Sequence, residues 1–154
     1  MEKKQTKNAN PQSKGVGFSF VDIATKQFAI IAENYKAGNK ITYSATTDLR
    51  LDEEKKIVEV FLEISLKQRK GVFMICQIAC YFSIEQDAWD KFSQPDDNVI
   101  VLPKHFATHL VVLAIGTIRG ILYVKTEDTA LNGFVLSTLN VTKMIKKDVV
   151  FTLE

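Results

Sequence analysis

The chain has 154 residues, 46% of them apolar and 25% charged, with 20 lysines and arginines against 18 aspartates and glutamates. That length suits one domain whose core hides about 70% of the unfolded surface, with no need of disulfides. A body this close to neutral is expected to lack the clustered basic face that duplex nucleic acid requires, so nucleic acid is set aside as a partner.

In chain order, residues 1–16 come first. They are polar and rich in lysine, and Lys3, Lys4, Lys7 and Lys14 against Glu2 leave this stretch at +3 and the remainder at −1. So few apolar side chains cannot offset the entropy of ordering the segment, which reads as a disordered basic tail ahead of a single domain at 17–154. No apolar leader stands here, and the longest apolar run, Leu110 to Ile115, is far short of the ~20 residues that cross a bilayer. A cytoplasmic protein with no membrane span is the expectation. Phe18 to Ile23 and Phe28 to Ala32 then read as two short strands with Phe18, Phe20, Phe28 and Ile30 dry and Ala24-Thr25-Lys26 as a break. The alanine, lysine and glutamine content keeps a helix open for Ile23 to Tyr35. Tyr35 to Asn39, with its Gly-Asn pair, is a turn or crossing loop.

Three strands follow as a meander. From Lys40 to Leu51 the odd positions Ile41, Tyr43, Ala45, Leu49 and Leu51 are apolar and the even ones polar, which is the period of a strand with one dry face. From Ile57 to Gln68 the even positions Val58, Val60, Leu62, Ile64 and Leu66 are dry, while Ile57 and Phe61 share the other face with Glu59 and Glu63. From Val72 to Ile84 both faces are apolar: Val72, Met74, Cys76, Ile78, Cys80, Phe82 and Ile84 on one, Phe73, Ile75, Ala79 and Tyr81 on the other. The links Asp52 to Lys56 and Arg69 to Gly71 are short and charged, as hairpin loops are. An antiparallel sheet ordinarily leaves one face in water, so a second apolar face calls for a partner.

Glu85 to Phe92 is a short helix or turn presenting Trp89 and Phe92, closed by the turn residues Ser93 to Asn98. Leu102-Pro103 opens a long helix, with Pro103 suited to its first turn and Gly120 to its stop after Arg119. Apolar residues occupy nearly all its sides, the mark of a buried helix. One side is therefore expected on the sheet and the other on a symmetry mate, with Phe106, Leu110, Leu113 and Ala114 as the candidate oligomer interface. Ile121 to Val124 continues the chain in extended or helical form, Glu127 to Gly133 is a loop, and Phe134 to Leu139 reads as extended. Asn140 to Lys147 suits a short amphipathic helix capped by Asn140, and Val149, Val150, Phe151 and Leu153 an edge strand. The fold class is α+β: an antiparallel sheet of four strands, one long helix and a short C-terminal helix.

Candidate chemistry is sparse. Cys76 and Cys80 lie on one face of one strand, roughly 13 Å apart by the strand rise, too far to bond to each other or to share an ion. They read as small buried hydrophobes. His105 and His109 share a helix side without a cysteine pair to complete a site. Glu59 and Glu63 are likewise roughly 13 Å apart, too far for a carboxylate pair. No nucleophile elbow and no phosphate loop occur, so no enzyme, cofactor or metal is expected. Arg119, read at a helix C-terminus, is assigned to capping. Phe61, Phe73, Ile75 and Tyr81 on the less dry sheet face, with Trp89 and Phe92, are the candidate groove, because flat apolar side chains hold apolar segments without demanding a sequence. The alternative, that the first strands, the crossing loop or the final helix covers them, stays open.

The order of features from Leu102 to Ile145 resembles the SecB family of bacterial export chaperones. An apolar-Pro pair at Val101-Leu102-Pro103 enters the long helix, Thr117-Ile118-Arg119-Gly120 stands for its end, and Leu136-Ser137-Thr138-Leu139-Asn140 precedes the last helix. Phe18-Ser19-Phe20 and the following loop match the family's first strand and crossover, so the likeness spans about residues 17–147. It implies a SecB-like, ATP-independent holdase that binds unfolded or preprotein chains on apolar grooves of a homotetramer, a dimer of dimers. It also implies the translocase motor as a partner. Thr138 stands where the family has a proline, and the body lacks the acidity used for motor docking, which counts against that partner. A dedicated adaptor for one peptide, associated with toxin-antitoxin systems or mobile elements, is the second expectation.

Overall fold

The computed structural model describes residues 16–154, and residues 1–15 of the expected disordered tail lie outside the described residues. One antiparallel sheet has the order β1-β4-β3-β2, with β1 Phe18–Ile30, β2 Thr42–Asp52, β3 Ile57–Gln68 and β4 Gly71–Ile84. After it come α1 Gln86–Phe92, β5 Ser93–Gln94, β6 Val99–Leu102, α2 Lys104–Lys125 and β7 Val149–Thr152. The last strand joins β5 and β6 in a three-stranded sheet of order β5-β6-β7. The fold is α+β as expected, but the small sheet was not foreseen, since its strands are too short to show a period.

The alternating residues of β3 and β4 explain the core. In register, Val58 faces Phe82, Val60 faces Cys80, Leu62 faces Ile78, Ile64 faces Cys76 and Leu66 faces Met74. All ten are fully or almost fully buried beneath Phe106, Ala107, Leu110, Val111, Ala114, Ile115, Ile118 and Leu122 of α2. Each full-sized side chain in this layer contributes about 1.5–3 kcal/mol by leaving water. The β3–β4 hairpin closes at Gly71, whose φ of +134° an L side chain resists.

Four sequence expectations are corrected. The segment Phe18 to Ile30 is one strand, because β4 offers hydrogen-bonding partners along its whole length. Register shifts between Phe20 and Asp22 and between Thr25 and Gln27 absorb the irregular polarity that read as a break. Helical structure there is limited to one 3-10 turn at Ala32–Asn34. Helix α2 passes through Gly120 and ends at Lys125, where the Thr126 hydroxyl donates to the Leu122 carbonyl at 2.8 Å. Packing of its inner face outweighs the roughly 1 kcal/mol that each interior glycine costs. Residues 134–140 are irregular, and the final helix is a single 3-10 turn at Val141–Lys143, with the Asn140 side chain accepting from the Thr142 amide as anticipated.

Arg119 has a different task from the one assigned to it. Since α2 continues past it, its Nε donates to the Leu136 carbonyl at 2.8 Å and its Nη2 to the Ser137 carbonyl at 3.3 Å. It ties the loop after α2 back onto the helix, where Leu131 and Leu136 enter the core. By length and composition α2 could cross a membrane, but here it is the core helix of the domain.

Candidate functional site

The sheet has a second face, and the pairing defines it row by row. Arg50, Glu59, Tyr81 and Asp22 form one row across the four strands; Asp48, Phe61, Ala79 and Ala24 the next; then Thr46, Glu63, Gln77 and Gln27, followed by Ser44, Ser65, Ile75 and Ala29. Helix α2 lies on the opposite face, so on the two central strands these rows are half-buried by their neighbours alone, with Ala79 sealed among them, while Ser44, Thr46, Asp48 and Arg50 of β2 and Asp22 and Gln27 of β1 are exposed. The rows place Phe61, Ile75 and Tyr81 on one surface as read from the sequence. Glu63 accepts a hydrogen bond from the Gln77 amide, so this carboxylate is held in the sheet surface.

The other three candidates for that groove are elsewhere. Phe73 is fully buried, its ring 5.0 Å from that of Tyr35, because the chain between β1 and β2 crosses over this corner. The Ile31 amide donates to the Phe73 carbonyl and the Asn34 side chain to the Val72 carbonyl, which fixes the crossing. Trp89 and Phe92 point from α1 into the core, with Phe92 5.3 Å from Phe106. Amphipathic spacing over seven residues places both aromatics on one side of α1, and that side faces inward. The internal cover held open in the sequence reading therefore applies to these three and not to Phe61, Ile75 and Tyr81.

A second open apolar surface runs along α2 and β1. Phe106, Leu110 and Ala114, expected at an oligomer interface, are turned onto the sheet and buried in the domain's own core; Leu113 alone of the four is partly exposed. A sequence apolar on all sides does not reveal which side the sheet takes. The outer side carries Val112, 48% exposed, and Val124, 62% exposed, and beside it β1 shows Val21 and Ile23 at 50% and 48%. Thr25, Gly116, Gly120, Ile121, Val124 and Lys125 line a shallow apolar groove of about 550 Å³ between the two elements. An added Cβ at Gly116 or Gly120 would meet nothing within 4 Å. The sequence signal for this surface was present in the all-round apolar helix, but it carried no assignment of sides.

Among the described residues two titratable groups are clearly shifted, and both are buried thiols. Burial pushes the thiols of both Cys76 and Cys80 up to about 11, against smaller opposing effects of Lys125 on the first and a Thr117 hydrogen bond on the second. Thiols so raised are poor nucleophiles at neutral pH. His105 and His109 lie on the outside of α2, and the His109 ring meets Phe18 edge-on at 5.7 Å. Among the described residues no three His, Cys, Asp or Glu side chains gather as a metal site.

With this geometry in hand, the comparison with solved structures bears on the fold. No family model matches the chain, and no curated protein matches its sequence. The chain is similar to the Mycobacterium tuberculosis Rv1957 SecB-like chaperone, solved in complex with a ChAD peptide from the Rv1956 HigA1 antitoxin. The two share 16% identity over 79% of this chain and 90% of that one, with a TM-score of 0.52. A protein of unknown function from Streptococcus agalactiae aligns over 80% of this chain and 99% of its own, at 16% identity and a TM-score of 0.39. The chain thus has the fold of a SecB-like chaperone.

Proposed function

We propose that the protein is an ATP-independent, SecB-like holdase that keeps unfolded or aggregation-prone chains on the open sheet face, in the cytoplasm and as a homo-oligomer. One observation carries this reading: the chain leaves two separate surfaces open, a largely polar sheet face in which Phe61, Ile75 and Tyr81 stand half-buried, and an apolar strip along α2 and β1. The first, around Phe61, Ile75 and Tyr81, suits an extended client, since rows of flat and aliphatic side chains bind apolar segments through many weak contacts. The second, along Val112, Leu113, Val124 and Ile23, suits another copy of the chain. Capture draws on roughly 25 cal/mol per Å² of buried apolar area and is offset by the cost of ordering the client, which keeps release accessible without a nucleotide. Multi-angle light scattering with and without a reduced, unfolded client tests it. An oligomer that shifts to a stable complex is expected; a monomer that ignores the client overturns the reading.

A second reading has one specific support, that the similar solved chaperone holds an antitoxin peptide. In it this chain is an adaptor for one dedicated peptide. Client range separates the two: a holdase suppresses aggregation of several unrelated proteins at near-stoichiometric amounts, and an adaptor acts on one.

A further inference from the structure

Near-neutral overall charge conceals a strongly polarised surface. At the crossover end of the large sheet, Lys36 and Lys40 from the β1–β2 connection meet Lys67, Arg69 and Lys70 from the β3–β4 hairpin, and all five are exposed. The structure brings these two distant segments together through Gln68. This buried side chain accepts from the Lys36 amide at 2.8 Å and donates to the carbonyls of Lys36 and Asn39 at 2.9 and 3.2 Å. Lys36, Arg69 and Lys70 line one cleft beside it, of about 260 Å³, and Lys40, Lys67 and Arg69 line a second. Glu33 is the one acid on either cleft. The only ion pair among the described residues is Arg50–Asp48, so none of the five cations is neutralised by a carboxylate there. The far end of the sheet carries Asp52, Glu53, Glu54, Glu85 and Asp87, with Lys55 and Lys56 among them.

Lys67 lies on the open face itself, in register with Thr42 and next along β3 on that face after Ser65. An extended segment on the rows of Phe61 and Ile75 therefore runs directly into the cationic corner. We infer that this corner selects polypeptide segments in which an apolar stretch is flanked by carboxylates, with the acidic flank seated among Lys36, Lys40, Lys67, Arg69 and Lys70. The inference rests on the holdase reading of the open face and adds the charge and direction of the client. A polypeptide fits better than nucleic acid because the aromatic ring lining the cleft, Tyr35, is packed at a tilt against Phe73 and offers no free platform for a base. Charges at the rim of a binding surface act chiefly on encounter and register, and they weaken with salt.

Fluorescence anisotropy with a labelled peptide, an apolar stretch followed by a run of glutamates, tests this against the same peptide with glutamines in the run. At low salt the glutamate peptide should bind about tenfold more tightly, and molar salt should erase the difference. The combined variant Lys36→Glu, Arg69→Glu, Lys70→Glu should remove the preference and leave binding of the glutamine peptide unchanged. The milder set Lys36→Gln, Arg69→Gln, Lys70→Gln serves if charge reversal disturbs folding. Equal binding of the two peptides by the natural chain overturns the inference and spares the holdase reading. Binding of neither overturns both. Binding of the glutamate peptide alone, with none of the glutamine peptide at any concentration tried, removes the holdase reading and overturns the inference, because the corner then binds anions without help from the open face. Displacement of the glutamate peptide by oligouridylate at lower concentration assigns the corner to nucleic acid and overturns the inference.

Discussion

Leu62 and Phe61 are neighbours in β3 that face opposite sides, and the difference between them measures whether the sheet really has one covered face. Leu62 sits between Thr47 and Ile78 under α2 and is fully buried. Leu62→Ala removes its apolar contacts and leaves a cavity beneath a helix that cannot collapse onto it, at a cost of about 3–4 kcal/mol. For a domain of this size that corresponds to a fall of about 10 °C in Tm. Phe61 is half-buried between Asp48 and Ala79 with no helix above it. Phe61→Ala should cost only about 1 kcal/mol, the part of its surface that its sheet neighbours already hide. Urea unfolding at low micromolar protein reads both values, and suppression of client aggregation should fall only for Phe61→Ala. Equal destabilisation by the two substitutions at low concentration would refute the one-sided packing. A Phe61 cost that grows with protein concentration would place a second copy on the open face in place of a client.

Three further outcomes follow from particular contacts. Gln68→Ala leaves the Lys36 amide and the part-buried carbonyls of Lys36 and Asn39 without their partner and should cost about 1–2 kcal/mol, with hydrogen exchange rising first in the crossover from Ala32 to Ile41. Cys76 and Cys80 should react with a thiol reagent at pH 8 only after denaturant is added. Because the folded chain keeps both thiols protonated up to about 11, while the unfolded chain ionises from about 9, the unfolded state binds fewer protons in that window. Stability should therefore be unaffected by these groups below pH 9 and fall from there toward 11, read by thermal unfolding across alkaline buffers. Gly116→Ala and Gly120→Ala should each stabilise the subunit by about 0.5–1 kcal/mol, since the helix gains propensity and the new methyl meets open space. A lowered Tm would show another chain packed closely at that position.

What the sequence alone determined is whatever repeats with the period of its own secondary structure. The alternation of Val58 to Leu66 and of Met74 to Phe82 marks two strands with a common dry face, because a pleated chain sends successive side chains to opposite sides. The apolar content between Phe106 and Ile118 marks a core helix, and Asn140 marks a cap, because both are local matters of a few residues. Phe61, Ile75 and Tyr81 were legible as one surface for the same reason. The side of α2 that meets the sheet was not legible, since a helix apolar all round has no preferred face until another element covers one. For Phe73, Trp89 and Phe92 the sequence left groove and internal cover both open, and they are buried, because a crossing loop and a short helix decide their cover from a distance. The strand Phe18–Ile30 was broken in the reading and continuous in the fold, because β4 pairs with it along its length and bulges absorb what the alternation could not. The cationic corner was hidden altogether. Charge summed along a chain says nothing of where charges meet, and Lys36 reaches Arg69 only because Gln68, itself buried, ties the two segments together.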